Sequence, residues 1–205
     1  MTATVDATGR SWLSRAALWG AWCVFFVPLT IVLHELGHYS AALLAGSPNP
    51  VLHYSWTSPG DLAGKDGSID GAIGLAGPAI TVILSVFACA WIVLRSPARW
   101  AFALAVSAAS RFVVAVPYTV INTLARLTGA SLSPPAFDEY KAGIALGWSG
   151  DVLLASTVIV LAAVLLCVGL NLPRGERSTA WPGLVIGTIL GWVCWMMLLG
   201  PALLP

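Results

Sequence analysis

Apolar residues run along this chain in blocks too long and too uniform for strands, separated by short polar connections. Five such blocks, at residues 16–44, 72–94, 100–127, 143–170 and 181–203, each exceed the ~20 helical residues that cross a hydrocarbon core. None shows the alternation of roughly ten-residue segments that a membrane barrel requires. The pattern therefore predicts an all-α polytopic membrane protein of about five transmembrane helices. Residues 1–15 read as a cytoplasmic tail, small and polar up to residue 11, and residues 16–205 as a single transmembrane domain. The first block is too long for the apolar core of a signal peptide and is read as a retained anchor.

Between the first two blocks lies the longest polar connection, residues 46–71. Ser47-Pro48-Asn49-Pro50 stops the first helix. Val51 to Thr57 carries strand-forming side chains, and Ser58-Pro59-Gly60-Asp61 supplies a turn, so a short hairpin or membrane-associated loop is expected here. Pro28 predicts a loosened backbone, with a kink near residue 34. The second block opens with Gly71, Gly74 and Gly77 on one side of a helix, and the fifth carries Gly183, Gly187 and Gly191 at four-residue spacing. Small residues so spaced let helix backbones approach. The first set is expected to abut the helix of the first block; the second packs within the chain or between copies, so a homo-oligomer is one outcome. The fourth and fifth blocks, residues 146–205, read as scaffold.

Composition agrees: of 205 residues, 58% are hydrophobic and 9% charged, which excludes an ordinary soluble domain. The net charge of +1 decides little, but its distribution assigns topology. Arg10, Arg15, Arg95, Arg99, Arg174 and Arg177 fall on one face, against Lys65, Arg126 and Lys141 with several acids on the other. The positive-inside rule then puts the amino terminus in the cytoplasm, expected to be that of a bacterium with the chain in its plasma membrane. Cys23, Cys89, Cys167 and Cys194 lie within apolar blocks without a C-x-x-C pair and read as packing residues. No phosphate loop, sequence repeat or basic nucleic-acid patch is present. The lipid bilayer is therefore an expected partner, and nucleic acid is not.

The chemistry sits in the first block. His34-Glu35-Leu36-Gly37-His38 places two imidazoles one helical turn apart on the same face, with a carboxylate beside them. In H-E-x-x-H sites the histidines bind zinc and the glutamate is the base that activates water for attack on a carbonyl. Ionisable residues in an apolar span are costly, at ~2.5–3.5 kcal/mol for a charged residue at its centre, and a bound cation would offset that cost. A third ligand is needed. Parity of the spans brings Asp138 and Glu139 to the same membrane face as the histidines; His53 and the deeper Asp151 are the other candidates, and the structural alternative for Asp138 and Glu139 is the start of a helix. Arg111, within the third block, needs a partner or a wet cavity, and Asn122 is a further hydrogen-bonding group.

Together, the motif in the first span, the polar loop after it, Ala76-Gly77-Pro78 and Asp138 after the third span resemble the site-2 protease family of intramembrane zinc metalloproteases. The resemblance covers residues 25–145. It implies Zn2+ held by His34, His38 and Asp138, Glu35 as catalytic acid/base, and cleavage of a membrane-protein substrate helix. The family commonly has an asparagine after the Gly-Pro pair, where this chain has Ala79, Ile80 and Thr81, and its aspartate sits in a Leu-Asp-Gly setting, here Phe137-Asp138-Glu139. The family's centre usually lies toward the cytoplasm, whereas the charge distribution puts this one toward the outside. The competing function is a non-catalytic, metal-binding membrane scaffold or partner-binding protein. A transporter fits less well, without an inverted repeat.

Overall fold

A computed structural model describes residues 11–61, 66–95, 97–129 and 137–204. Residues 1–10, Lys65 and residues 131–136, ahead of Asp138, lie outside them. The elements are α1 (Trp12–Leu44), β1 (Val51–Leu52), β2 (Thr57–Ser58), α2 (Gly67–Leu94), α3 (Arg99–Ala108), α4 (Phe112–Leu127), α5 (Asp138–Ala145), α6 (Gly150–Asn171), α7 (Arg177–Cys194) and α8 (Gly200–Leu203). Among the described residues, five helical stretches are long and apolar enough to cross a membrane, the mark of a multi-pass membrane protein: Trp12–Leu44, Gly67–Leu94, Arg99–Ala125, Gly150–Asn171 and Arg174–Leu203.

The boundaries follow local chemistry. Residues 12–15 belong to α1 rather than to a tail, because the Ser11 side chain accepts from the Ser14 backbone N–H and caps the helix. α1 continues through Pro28 and ends before Gly46, whose φ of 80° ends the helix ahead of the prolines. The hairpin forms, but its turn is 53–56, closed by the His53 N–H donating to the Trp56 carbonyl at 3.0 Å; Ser58 belongs to β2. The fourth span starts at Gly150 instead of 143. Residues 138–145 fold as the separate helix α5, and Gly147, at φ 72°, turns the chain before α6.

α3 is the centre of the bundle. Every residue from Ala101 to Ala109 is buried, and its small side chains let α1, α2, α6 and α7 close around it. Trp19 packs edge-on against Phe102 at 5.6 Å, and Leu161, Val168 and Leu184 complete the core. Outward-facing Val, Leu and Ile on α2, α4, α6 and α7 remain exposed, as expected of side chains that meet lipid. At one end the Trp19 indole donates to Glu176 at 3.1 Å, and Arg99 pairs with the same carboxylate at 2.9 Å. That contact gathers the starts of α1, α3 and α7, the grouping the charge pattern anticipates.

Glycine spacing settles which helices touch. A Cβ on Gly183, Gly187 or Gly191 would meet α1 at Ala16 and Trp19, at Gly20, and at Cys23 and Val27, so the α7 glycine face is occupied by α1 of the same chain. Gly77 lies against His34 and His38 of α1, while Gly71 and Gly74 lie against Leu146 and Ala142 at the end of α5 and within it. The α2 glycines thus serve two neighbours.

Candidate metal centre

His34, Glu35 and His38 are all buried, with relative exposures of 6–7%. Glycine makes this possible twice. Gly37 lets the Ala76 carbonyl approach to within 2.8 Å of where a Cβ would stand, and the missing Cβ of Gly77 leaves the space in which both imidazole Nε2 atoms lie.

Hydrogen bonds orient the rings. His38 Nδ1 lies 2.7 Å from the Ile73 carbonyl, which only accepts, so Nδ1 carries the proton. The Thr81 hydroxyl, which donates to the Gly77 carbonyl at 3.3 Å, accepts from His34 Nδ1 at 2.9 Å. Both Nε2 atoms are left with free lone pairs, 3.2 Å apart. Asp138 Oδ2 stands 3.2 Å from His34 Nε2 and 3.5 Å from His38 Nε2. The three form the metal-ligating group among the described residues, and the group can hold a metal ion.

Two observations test the fit. Tetrahedral ligands at ~2.0–2.1 Å from an ion stand about 3.3 Å apart, close to all three edges found here. Charge agrees as well: Glu35, Asp138 and Glu139 against Arg111 leave the ionised cluster two negative charges in excess, which one divalent cation balances.

Asp138 reaches the histidines because α5 lies on α2, with Ala142 3.1 Å from the Cβ position of Gly74. Burial opposes charge on this carboxyl, but its contacts with the His34 and His38 rings and with the Arg111 guanidinium outweigh it and hold it well below the usual carboxylate range. Glu139, the neighbouring candidate, is buried and pairs with Arg111 at 3.4 Å. Asp151 accepts from the Asn122 amide at 2.8 Å, and both line a different cavity between α4 and α6. His53 stacks on Trp56 at 4.0 Å and lies outside the metal-ligating group. Asp138 and Glu139 also occupy the first turn of α5, so the ligand and helix-start roles coincide.

Glu35 is held by the hairpin. The Thr57 hydroxyl lies 3.0 Å from both the Glu35 backbone carbonyl and its Oε2, and donates toward them. The hairpin is fixed in turn by the far end of the chain: Trp195 Nε1 donates to the Tyr54 carbonyl at 2.8 Å, and the Tyr54 N–H donates to Leu204 at 3.1 Å. A π-helical turn at Trp195–Leu199 sits at this contact.

Two cavities meet at the centre. A smaller one of about 190 Å³ has Thr30, His34, Glu35, Ser107, Arg111 and Asp138 in its wall; Trp192 and Met196 complete it, so the fifth span contributes to the site as well as to the scaffold. A larger groove of about 690 Å³ runs between the hairpin, α2 and α5, past Glu35, His38, Trp56, Thr57, Asp138 and Lys141. Thr57, Thr81 and the Ile73 carbonyl carry no signal in the sequence, since nothing local marks a residue as a ligand's hydrogen-bond partner. No protein-family model, curated protein or solved structure matches this chain.

Proposed function

We propose that the chain is an intramembrane zinc metallopeptidase that hydrolyses a peptide bond of a membrane-protein substrate, in the plasma membrane of a bacterium. The observation that carries this is the convergence of His34 Nε2, His38 Nε2 and Asp138 Oδ2 beside a Glu35 carboxylate that faces both cavities. Two imidazoles and a carboxylate at tetrahedral spacing suit zinc. His34, His38 and Asp138 would hold it; when bound, it lowers the pKa of water and polarises a carbonyl.

The chain's own groups do the rest. Glu35 accepts a proton from the attacking water as the C–O bond forms and returns it to the amine as the C–N bond then breaks. Thr57 fixes the Glu35 carboxylate, and the Nδ1–H bonds to Thr81 and Ile73 keep the imidazoles in one tautomer. The groove along Trp56 and Thr57 suits an extended segment, so a substrate helix must unwind locally for its carbonyl to reach Glu35.

Glu35→Gln tests the reading. The variant should bind zinc like the parent and lose cleavage of a transmembrane model substrate by at least ~100-fold, measured by mass spectrometry of the products. Equal cleavage by parent and variant refutes the catalytic role. Zinc in both with cleavage in neither favours the non-catalytic scaffold.

A further inference from the structure

We propose that Arg111 is the positioning residue of this centre, a clamp that seats Asp138 of α5 against the histidines of α1. The inference rests on the metal-site part of the function above and goes beyond it, since neither the motif nor its spacing assigns Arg111 a role.

Arg111 ends a 3-10 turn, Ala109–Arg111, at which the third span changes from α3 to α4. The turn is anchored on the bundle: the Trp192 indole donates to the Ser110 hydroxyl at 3.0 Å. From this fixed point the guanidinium reaches three groups. Its Nη1 is 3.2 Å from His34 Nδ1 and 3.1 Å from Nε2. An atom in the ring plane at both distances would collide with Cε1, so the guanidinium lies over the ring face and leaves the Nε2 lone pair open. Its Nη2 is 3.4 Å from both Asp138 Oδ2 and Glu139 Oε2.

The arrangement answers a specific difficulty. Asp138 sits on an eight-residue helix, next to a second acid and facing Glu35 across the cluster. Like charges so close together push one another apart, and Asp138 has to stay within reach of both Nε2 atoms. A planar, permanently charged fork holds both α5 carboxylates from one side while lying on the histidine they must approach. Glu139 is the clamp's second anchor: at 3% exposure its carboxylate has Arg111 as its ion-pair partner. A lysine at 111 would keep the charge but could not span the three groups.

The test uses full-length protein in detergent, with Zn2+ affinity measured against a competing chelator and Co2+ substitution read by visible absorption. Arg111→Lys should remain monodisperse and bind Zn2+ about 10- to 100-fold more weakly, with an altered Co2+ spectrum. The same substitution in an Asp138→Ala background should have no further effect, because the clamp acts through Asp138. Should Arg111→Lys not fold, Glu139→Gln, which keeps the guanidinium and removes its second anchor, should weaken Zn2+ binding and again be silent without Asp138. Parent-like affinity and spectrum in Arg111→Lys overturn the proposal, as does an equal loss in both backgrounds. A parent that binds no Zn2+ overturns both this proposal and the metallopeptidase; a parent that binds Zn2+ but cleaves nothing removes only the latter.

Discussion

The two halves of α1 meet their neighbours by the same device and put it to different use. Before Pro28, Ala16, Gly20, Cys23 and Val27 lie against Gly183, Gly187 and Gly191 of α7, and the contact is backbone on backbone at Gly20 and Gly187, flanked by the Trp19 and Val27 side chains. After Pro28, the contact is with α2, where the space left by Gly77 is filled by the Nε2 ends of His34 and His38. Close approach in the first half yields dispersion contacts and gathers no metal-ligating group. In the second it lets two imidazoles and a glutamate be buried with their hydrogen bonds satisfied by Thr81, Ile73 and Thr57. A glycine in a membrane helix thus marks close approach, and the residue opposite decides whether that approach is structural or chemical.

A single methyl group should separate these uses. Gly77→Ala puts a Cβ on the two Nε2 atoms, 2.8 Å from that of His34 and closer still to that of His38. Zinc affinity should fall at least 100-fold while the metal-free protein keeps its thermal midpoint, because alanine is favoured over glycine in a helix by about 1 kcal/mol. Gly187→Ala should do the reverse. Its Cβ lands on the Gly20 backbone, 2.5 Å from Cα, and backbone cannot rotate away. A loss of about 1–3 kcal/mol in stability is expected, read as a lower thermal midpoint, with parent zinc affinity in whatever remains folded. If Gly77→Ala unfolds the protein and Gly187→Ala spares it, the comparison is wrong.

Smaller effects sharpen the chemical half. Thr57→Val keeps the shape and removes the donor to Glu35, so turnover should drop by about 1.5–3 kcal/mol in activation free energy with zinc content unchanged. Asp138→Asn should lower the stability of the chelator-treated protein near neutral pH. The folded carboxyl is held below its ordinary value, so its contribution is full above pH ~4 and fades as pH falls toward the folded value; the gap between variant and parent should narrow from pH 5 to pH 3 in thermal scans. His53→Ala, stacked on Trp56 away from the metal ligands, should change zinc affinity by no more than about 0.5 kcal/mol.

Five membrane-crossing helices, the hairpin and the His34, His38 pair were legible because each is written in consecutive residues. Hydropathy needs only a window, and a helix fixes where residue 38 stands relative to 34. The fourth span was misplaced for the same reason: residues 143–145 are apolar enough to extend α6, and only the packing of α5 on Gly71 and Gly74, with the turn at Gly147, shows that they belong elsewhere. Cys89 and Cys167 were likewise distant in sequence, yet they line one groove between α2 and α6.

The sequence by itself determined the class of the protein and the half of the site carried on α1, since both are consequences of local periodicity. The family resemblance pointed to Asp138, but only the tertiary structure stands it, rather than Glu139, Asp151 or His53, beside both histidines, and only it brings Arg111, Thr57 and Thr81 there. Those groups lie on α4's entry turn, β2, α2 and α5, tens of residues from the motif. Their meeting depends on which helices small residues allow to touch, a pairwise property of surfaces that no single stretch of chain records.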